Sequence, residues 1–188
     1  MQNIIKRLVV WAVVIVLILT IPLVLTLLGS GVDGDGWHWT LSDFVIIGGL
    51  MFGVGLAYEL LARRSEKTVY RAAFGVGLAG AFLLFWVNGA VGIIGDEGQS
   101  ANLMYGAVFA VGFIGSLMAR FKPRGMARTL FAAAVVQMLV PAVALFVWPP
   151  PANSWSPGVF GVFVLSAFFA MLFAVSAMLF LRATSKHT

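Results

Sequence analysis

Long apolar runs alternate along the chain with short polar connections, and six of the runs have the length of a membrane span. They cover about residues 8–28, 41–62, 72–94, 101–120, 129–148 and 159–181. A helix needs roughly 20 predominantly apolar residues to cross the hydrocarbon core. The pattern predicts an all-α, polytopic transmembrane bundle of six spanning helices. Six such helices occupy most of the 188 residues, so one integral membrane domain over 1–188 is expected, with short loops.

The first run follows Lys6 and Arg7 and precedes Gly29-Ser30-Gly31, which invites a signal-peptide interpretation. A signal h-region is about 7–15 apolar residues. Leu8–Leu28 is longer, so it is expected to stay as helix 1, with Pro22 as a kink site. Composition agrees with the pattern. Hydrophobic residues make up 61% and charged residues 10% of the chain, against about 25% charged in a soluble domain. Mean hydropathy is +1.02.

Charge adds orientation. The twelve Lys and Arg residues are Lys6, Arg7, Arg63, Arg64, Lys67, Arg71, Arg120, Lys122, Arg124, Arg128, Arg182 and Lys186. If the helices alternate, all fall on one side. The other side holds Asp33, Asp35, Asp96 and Glu97, with Asp43 at the mouth of helix 2. The positive-inside rule makes the basic side cytoplasmic. The expectation is a multi-pass inner-membrane protein with both termini in the cytoplasm. Trp37, Trp39, Trp148 and Trp155 fall at the outer boundary, where an indole buries its ring and keeps its N–H wet. Because each basic residue adjoins an apolar run, the lipid bilayer is the expected partner and nucleic acid is not.

Shifting the chain by 57 residues lays residues 49–74 over 106–131 without a gap. Identities include Gly49/Gly106, Phe52/Phe109, Gly55/Gly112, Arg63/Arg120, Arg71/Arg128 and Phe74/Phe131. This suggests an internal repeat of helices 2–3 on helices 4–5, parallel about the membrane normal.

Small residues recur at helix-packing spacing: Gly49 and Gly53, Gly112 and Ser116, Gly115 and Ala119, and the Ala167, Ala170, Ala174, Ala177 face. Such residues let helices approach closely in lipid. They serve packing within the chain, a homo-oligomer, or a partner in a membrane complex.

Candidate chemistry is sparse. Glu59 lies in helix 2, and an intramembrane acid is a functional candidate by default. Arg63 at i+4 is a ready partner for a structural ion pair. Asn88 and Gln137 are intramembrane polar groups expected to make interhelical hydrogen bonds, and Pro141 one turn after Gln137 is expected to kink helix 5. Asp43, Trp86, Asn88, Asp96, Glu97 and Asn102 belong to consecutive helices that end on the same side, so they are the candidate ligand-binding set at an outer mouth. With helix 3 running to Ile94, Asn88 would lie about 9 Å deep. Clustered carboxylates there would attract a cation or a basic group.

Other chemistries are excluded on residue grounds. There is no cysteine, hence no thiolate metal site, disulfide or thiol nucleophile. Asp33-Gly34-Asp35-Gly36-Trp37-His38 fails the calcium-loop pattern, and the second histidine, His187, lies at the opposite end. A bis-histidine haem, a retinal lysine, H-E-x-x-H, G-x-S-x-G and a phosphate-binding loop are all missing. No cofactor, no metal and no enzymatic activity are expected. Two functions remain in contention. One is a non-enzymatic accessory, assembly or scaffold subunit of a membrane complex. The other is a small-solute or cation transporter or channel with an outward-facing acidic mouth. A lipid- or quinone-directed enzyme would need ionisable groups clustered at one depth, which the sequence does not show.

Overall fold

The structure is a computed structural model that describes residues 2–28, 39–96, 98–147, 149 and 157–184. These form six α-helices: α1 (Gln2–Leu28), α2 (Leu41–Leu61), α3 (Thr68–Ala90), α4 (Gly106–Met118), α5 (Pro123–Phe146) and α6 (Val159–Thr184). Short 3-10 segments at Ala62–Arg64 and Ser100–Tyr105 extend α2 and precede α4. Counting the second of these with α4, all six helices are long and apolar enough to cross a membrane. No strand occurs among the described residues. The expected all-helical, six-span architecture is therefore observed. The helices group into two compact units, Met1–Leu60 and Leu61–Thr188.

In the first unit α1 and α2 form an antiparallel hairpin. Contacts pair Arg7 with Glu59, Trp11 with Gly55, Leu19 with Gly48 and Thr26 with Trp39, so partner numbers run in opposite directions. Gly55 makes the close approach: a Cβ there would stand 2.9 Å from the Trp11 ring. Thr40 and Asp43 start α2 reciprocally. The Thr40 backbone N–H and hydroxyl both donate to Asp43 Oδ2, at 2.7 and 2.8 Å. This is the acid half of a capping box, which satisfies an otherwise orphan helix-start donor. Pro22 lies inside α1, which continues through it.

In the second unit α3 runs antiparallel to α6, and α4 antiparallel to α5. Ser176 Oγ donates to the Ala73 carbonyl at 2.6 Å, beside Gly77, where a Cβ would stand 2.9 Å from that hydroxyl. Gly80 faces Leu172 and Phe173 one turn on. Gly115 of α4 similarly admits Thr129 of α5. Small residues thus sit where helices meet most closely, as hydrocarbon packing requires.

One end of this unit is held by Lys67 Nζ donating to the Ala183 carbonyl and Tyr70 Oη donating to the Phe121 carbonyl, both at 2.8 Å. Tyr70, Phe74 and Phe180 pack there, with ring centroids 5.1–6.3 Å apart. Lys67, Arg71, Arg120, Lys122 and Arg182 all belong to these same helix ends, so the four helices alternate as the charge pattern requires.

Several boundaries differ from expectation. α3 starts at Thr68 and stops at Ala90, four residues short of Ile94. Gly92 and Gly95 take φ of +72° and +76°, a left-handed backbone open to glycine but not to a continuing helix. The run expected to begin helix 4 starts instead as the 3-10 segment Ser100–Tyr105. α5 begins at Pro123, six residues before the expected Thr129, since proline is suited to a first helical turn.

The repeat stands unconfirmed. α2 and α4 end at Leu61 and Met118, which the 57-residue shift superposes. The turns that follow differ, however. Arg120 and Phe121 have φ of +48° and +57°, whereas Arg63, the counterpart of Arg120, lies in a 3-10 segment.

Candidate functional site

The end of the second unit opposite its basic residues is organised by Asn102. This residue is 4% exposed. Its Oδ1 accepts from the backbone N–H groups of Ile93 and Ile94 at 3.1 and 2.9 Å. Its Nδ2 donates to the carbonyls of Ile94 and Asp96 at 3.1 and 2.7 Å. One carboxamide therefore replaces the ladder that the loop after α3 lacks, which lets Ile93 and Ile94 be fully buried without orphaning their amides. Gly92 is obligatory in this loop: a Cβ would collide with the Asp96 carbonyl and stand 2.8 Å from Asn102 Nδ2.

Asn88 is drawn to the same place, its Nδ2 donating to the Asn102 carbonyl at 3.2 Å. With α3 ending at Ala90, Asn88 lies two residues from the helix end. The expected depth of about 9 Å is corrected to about 3 Å at 1.5 Å per residue. Its Oδ1 is buried and has no hydrogen-bond partner among the described residues. Trp86, half-buried, packs on Phe82 with centroids 5.8 Å apart. Asp96 is exposed and contributes its backbone carbonyl to Asn102. Glu97 lies outside the described residues, as do Asp33, Asp35, His38, Trp37, Trp148, Trp155 and His187. Asp43 belongs to the other compact unit, where it caps α2.

Of the expected outer-mouth set, the structure brings together Asn88, Asn102 and the Asp96 backbone. The polar contacts among them are directed at main chain. Among the described residues, no three His, Asp or Glu side chains gather in a metal-holding group.

Glu59 is 6% exposed. Its Oε1 accepts from Trp11 Nε1 at 3.3 Å, and its Oε2 lies 3.5 Å from Arg7 Nη1, without hydrogen-bond geometry. Both partners come from α1 and were not anticipated, because they lie about fifty positions away in sequence. Arg63, the expected partner at i+4, lies in the 3-10 segment Ala62–Arg64 that follows α2.

Gln137 departs from expectation most clearly. It is 0% exposed in α5, and neither Oε1 nor Nε2 has a hydrogen-bond partner among the described residues. The expected interhelical hydrogen bond is not made. The bond formed nearby in type is between Tyr105 Oη and Ser166 Oγ, 2.8 Å apart and fully buried. No sequence signal pairs residues 61 apart on a 3-10 segment and a helix. Compared with protein-family models, curated proteins and solved structures, the chain matches none of them.

Proposed function

We propose that the protein is a non-enzymatic accessory, assembly or scaffold subunit of an inner-membrane complex, with both termini in the cytoplasm. What supports this is the use made of its polar side chains. Ser176, Tyr105 with Ser166, Tyr70, Lys67 and Asn102 each tie one helix or loop to another. They build a frame and do not converge on a shared reacting position.

The frame also offers a surface. Gly55 and Gly48 of α2 are covered by α1, whereas a Cβ at Gly49 or Gly53 would meet nothing within 4 Å. This G-x-x-x-G pair suits a partner's transmembrane helix at close range. The transporter alternative draws less support, because the Asp43 carboxylate is bonded to Thr40 and the Asn102 amide to the loop.

The chain's lack of cysteine makes the test direct. Gly49→Cys and Gly53→Cys are introduced singly, and disulfide or maleimide adducts are collected from native membranes. The proposal expects one reproducible hetero-adduct at these positions and none from Ile47→Cys or Val54→Cys, which lie on another face of α2. Adducts of twice the chain mass, or lipid-only environments at both positions, would overturn it.

A further inference from the structure

The buried stripe of α5 is Met126, Leu130, Ala133, Gln137, Pro141 and Ala144, spaced three or four apart as one helical face. Gln137 stands where that spacing calls for an aliphatic side chain. It is fully buried with both carboxamide ends unpartnered. Pro141 follows four residues later within the same helix. In an α-helix the carbonyl of residue 137 accepts from the N–H of residue 141, and proline has none. Proline thus removes the usual donor to the Gln137 carbonyl, beside a carboxamide whose Oε1 and Nε2 have no hydrogen-bond partner among the described residues. Lipid supplies no hydrogen bonds to relieve them.

We propose that the Gln137 carboxamide and its proline-freed carbonyl form a binding site for a small uncharged molecule that both donates and accepts hydrogen bonds, and that water is its occupant. Charge argues first. Among the described residues, the buried polar side chains of the unit 61–188 are Tyr70, Asn102, Tyr105, Thr129, Gln137, Ser166 and Ser176. None carries a charge at neutral pH, so an ion would be buried without a counter-charge, which is prohibitive. Size argues next. Ala133, Val140 and Pro141 on the same stripe are at most 5% exposed, so the carboxamide is closed off from the surface and suits a guest of few atoms. Chemistry completes the match. A water accepts from Nε2 and donates to Oε1 or to the carbonyl, and buried waters typically make about three such bonds. Tyr105 and Ser166 are engaged with each other, so they do not substitute for it.

The test uses the full chain in lipid bilayers with glutamine side-chain amides labelled with nitrogen-15. There are three glutamines, Gln2, Gln99 and Gln137. Gln2→Asn and Gln99→Asn variants assign the third signal by elimination, without touching the site. In water-edited solid-state NMR, the Gln137 amide is expected to gain intensity at short mixing times as fast as Gln99, which lies in a loop. Build-up no faster than that of the backbone amides of Ala133 and Ala144 would overturn the proposal. So would a Gln137→Leu variant whose neighbouring backbone amides keep the same water contact as wild type.

Discussion

Trp11 lies against Gly55 so closely that a methyl group there would stand 2.9 Å from the indole, while its Nε1 donates to Glu59 one turn further along α2. A single side chain thus contributes both packing and a polar tie to the α1–α2 hairpin. Trp11→Ala is expected to destabilise the protein by about 2 kcal/mol. That is below the 3–5 kcal/mol usual for a fully buried aromatic, because Trp11 is only half-buried. Thermal unfolding in lipid nanodiscs measures it, and a change below about 0.5 kcal/mol contradicts the assignment.

Arg7 and Glu59 form a long ion pair whose basic member is 45% exposed. Its worth is accordingly modest. A double-mutant cycle with Arg7→Ala and Glu59→Gln should return a coupling of about 0.5–1 kcal/mol. Strict additivity would mean the two charges do not interact.

Asn102 satisfies four backbone groups of the loop after α3. Asn102→Leu keeps the volume and removes all four bonds, including those to two fully buried amides. Each orphaned buried group costs about 1–3 kcal/mol, so a loss of at least about 3 kcal/mol is expected. Asn102→Asp keeps the acceptor and loses the donor, so it should fall between. Equal stability of all three proteins would remove Asn102 from its role.

Topology is checked by the same cysteine-free background. Gln99→Cys should react with an impermeant maleimide only from outside the cell. Lys122→Cys, in the turn between α4 and α5, should react only after the inner face is opened. The reverse pattern would invert the proposed orientation.

The six spans were legible because apolar length alone specifies them, and the alternation of basic and acidic ends followed from charge. The end of α3 was not legible. Val91-Gly92-Ile93-Ile94 reads as a continuing apolar helix, and only Asn102, fourteen residues after Asn88, gives Ile93 and Ile94 another way to bond their amides. For Glu59, a partner at i+4 such as Arg63 is legible in a linear pattern, whereas Arg7 and Trp11 are reached only once α1 folds back. Gln137 was expected to find another helix. Nothing in a linear pattern shows that its neighbours on the buried stripe of α5 leave it without a protein partner.

Gly53 and Gly55 stand two residues apart on α2, one open and one covered by Trp11, and their comparison bears most directly on the proposed scaffold role. The measurement is native mass spectrometry of the complex released from membranes, with a temperature ramp, for wild type, Gly53→Leu and Gly55→Leu. The account predicts that Gly53→Leu loses the partner mass and unfolds within about 2 °C of wild type, a shift worth at most about 1 kcal/mol for a chain of this size. Gly55→Leu should instead unfold several degrees lower, since its side chain displaces α1. A Gly53→Leu protein that keeps the wild-type complex mass would contradict the account.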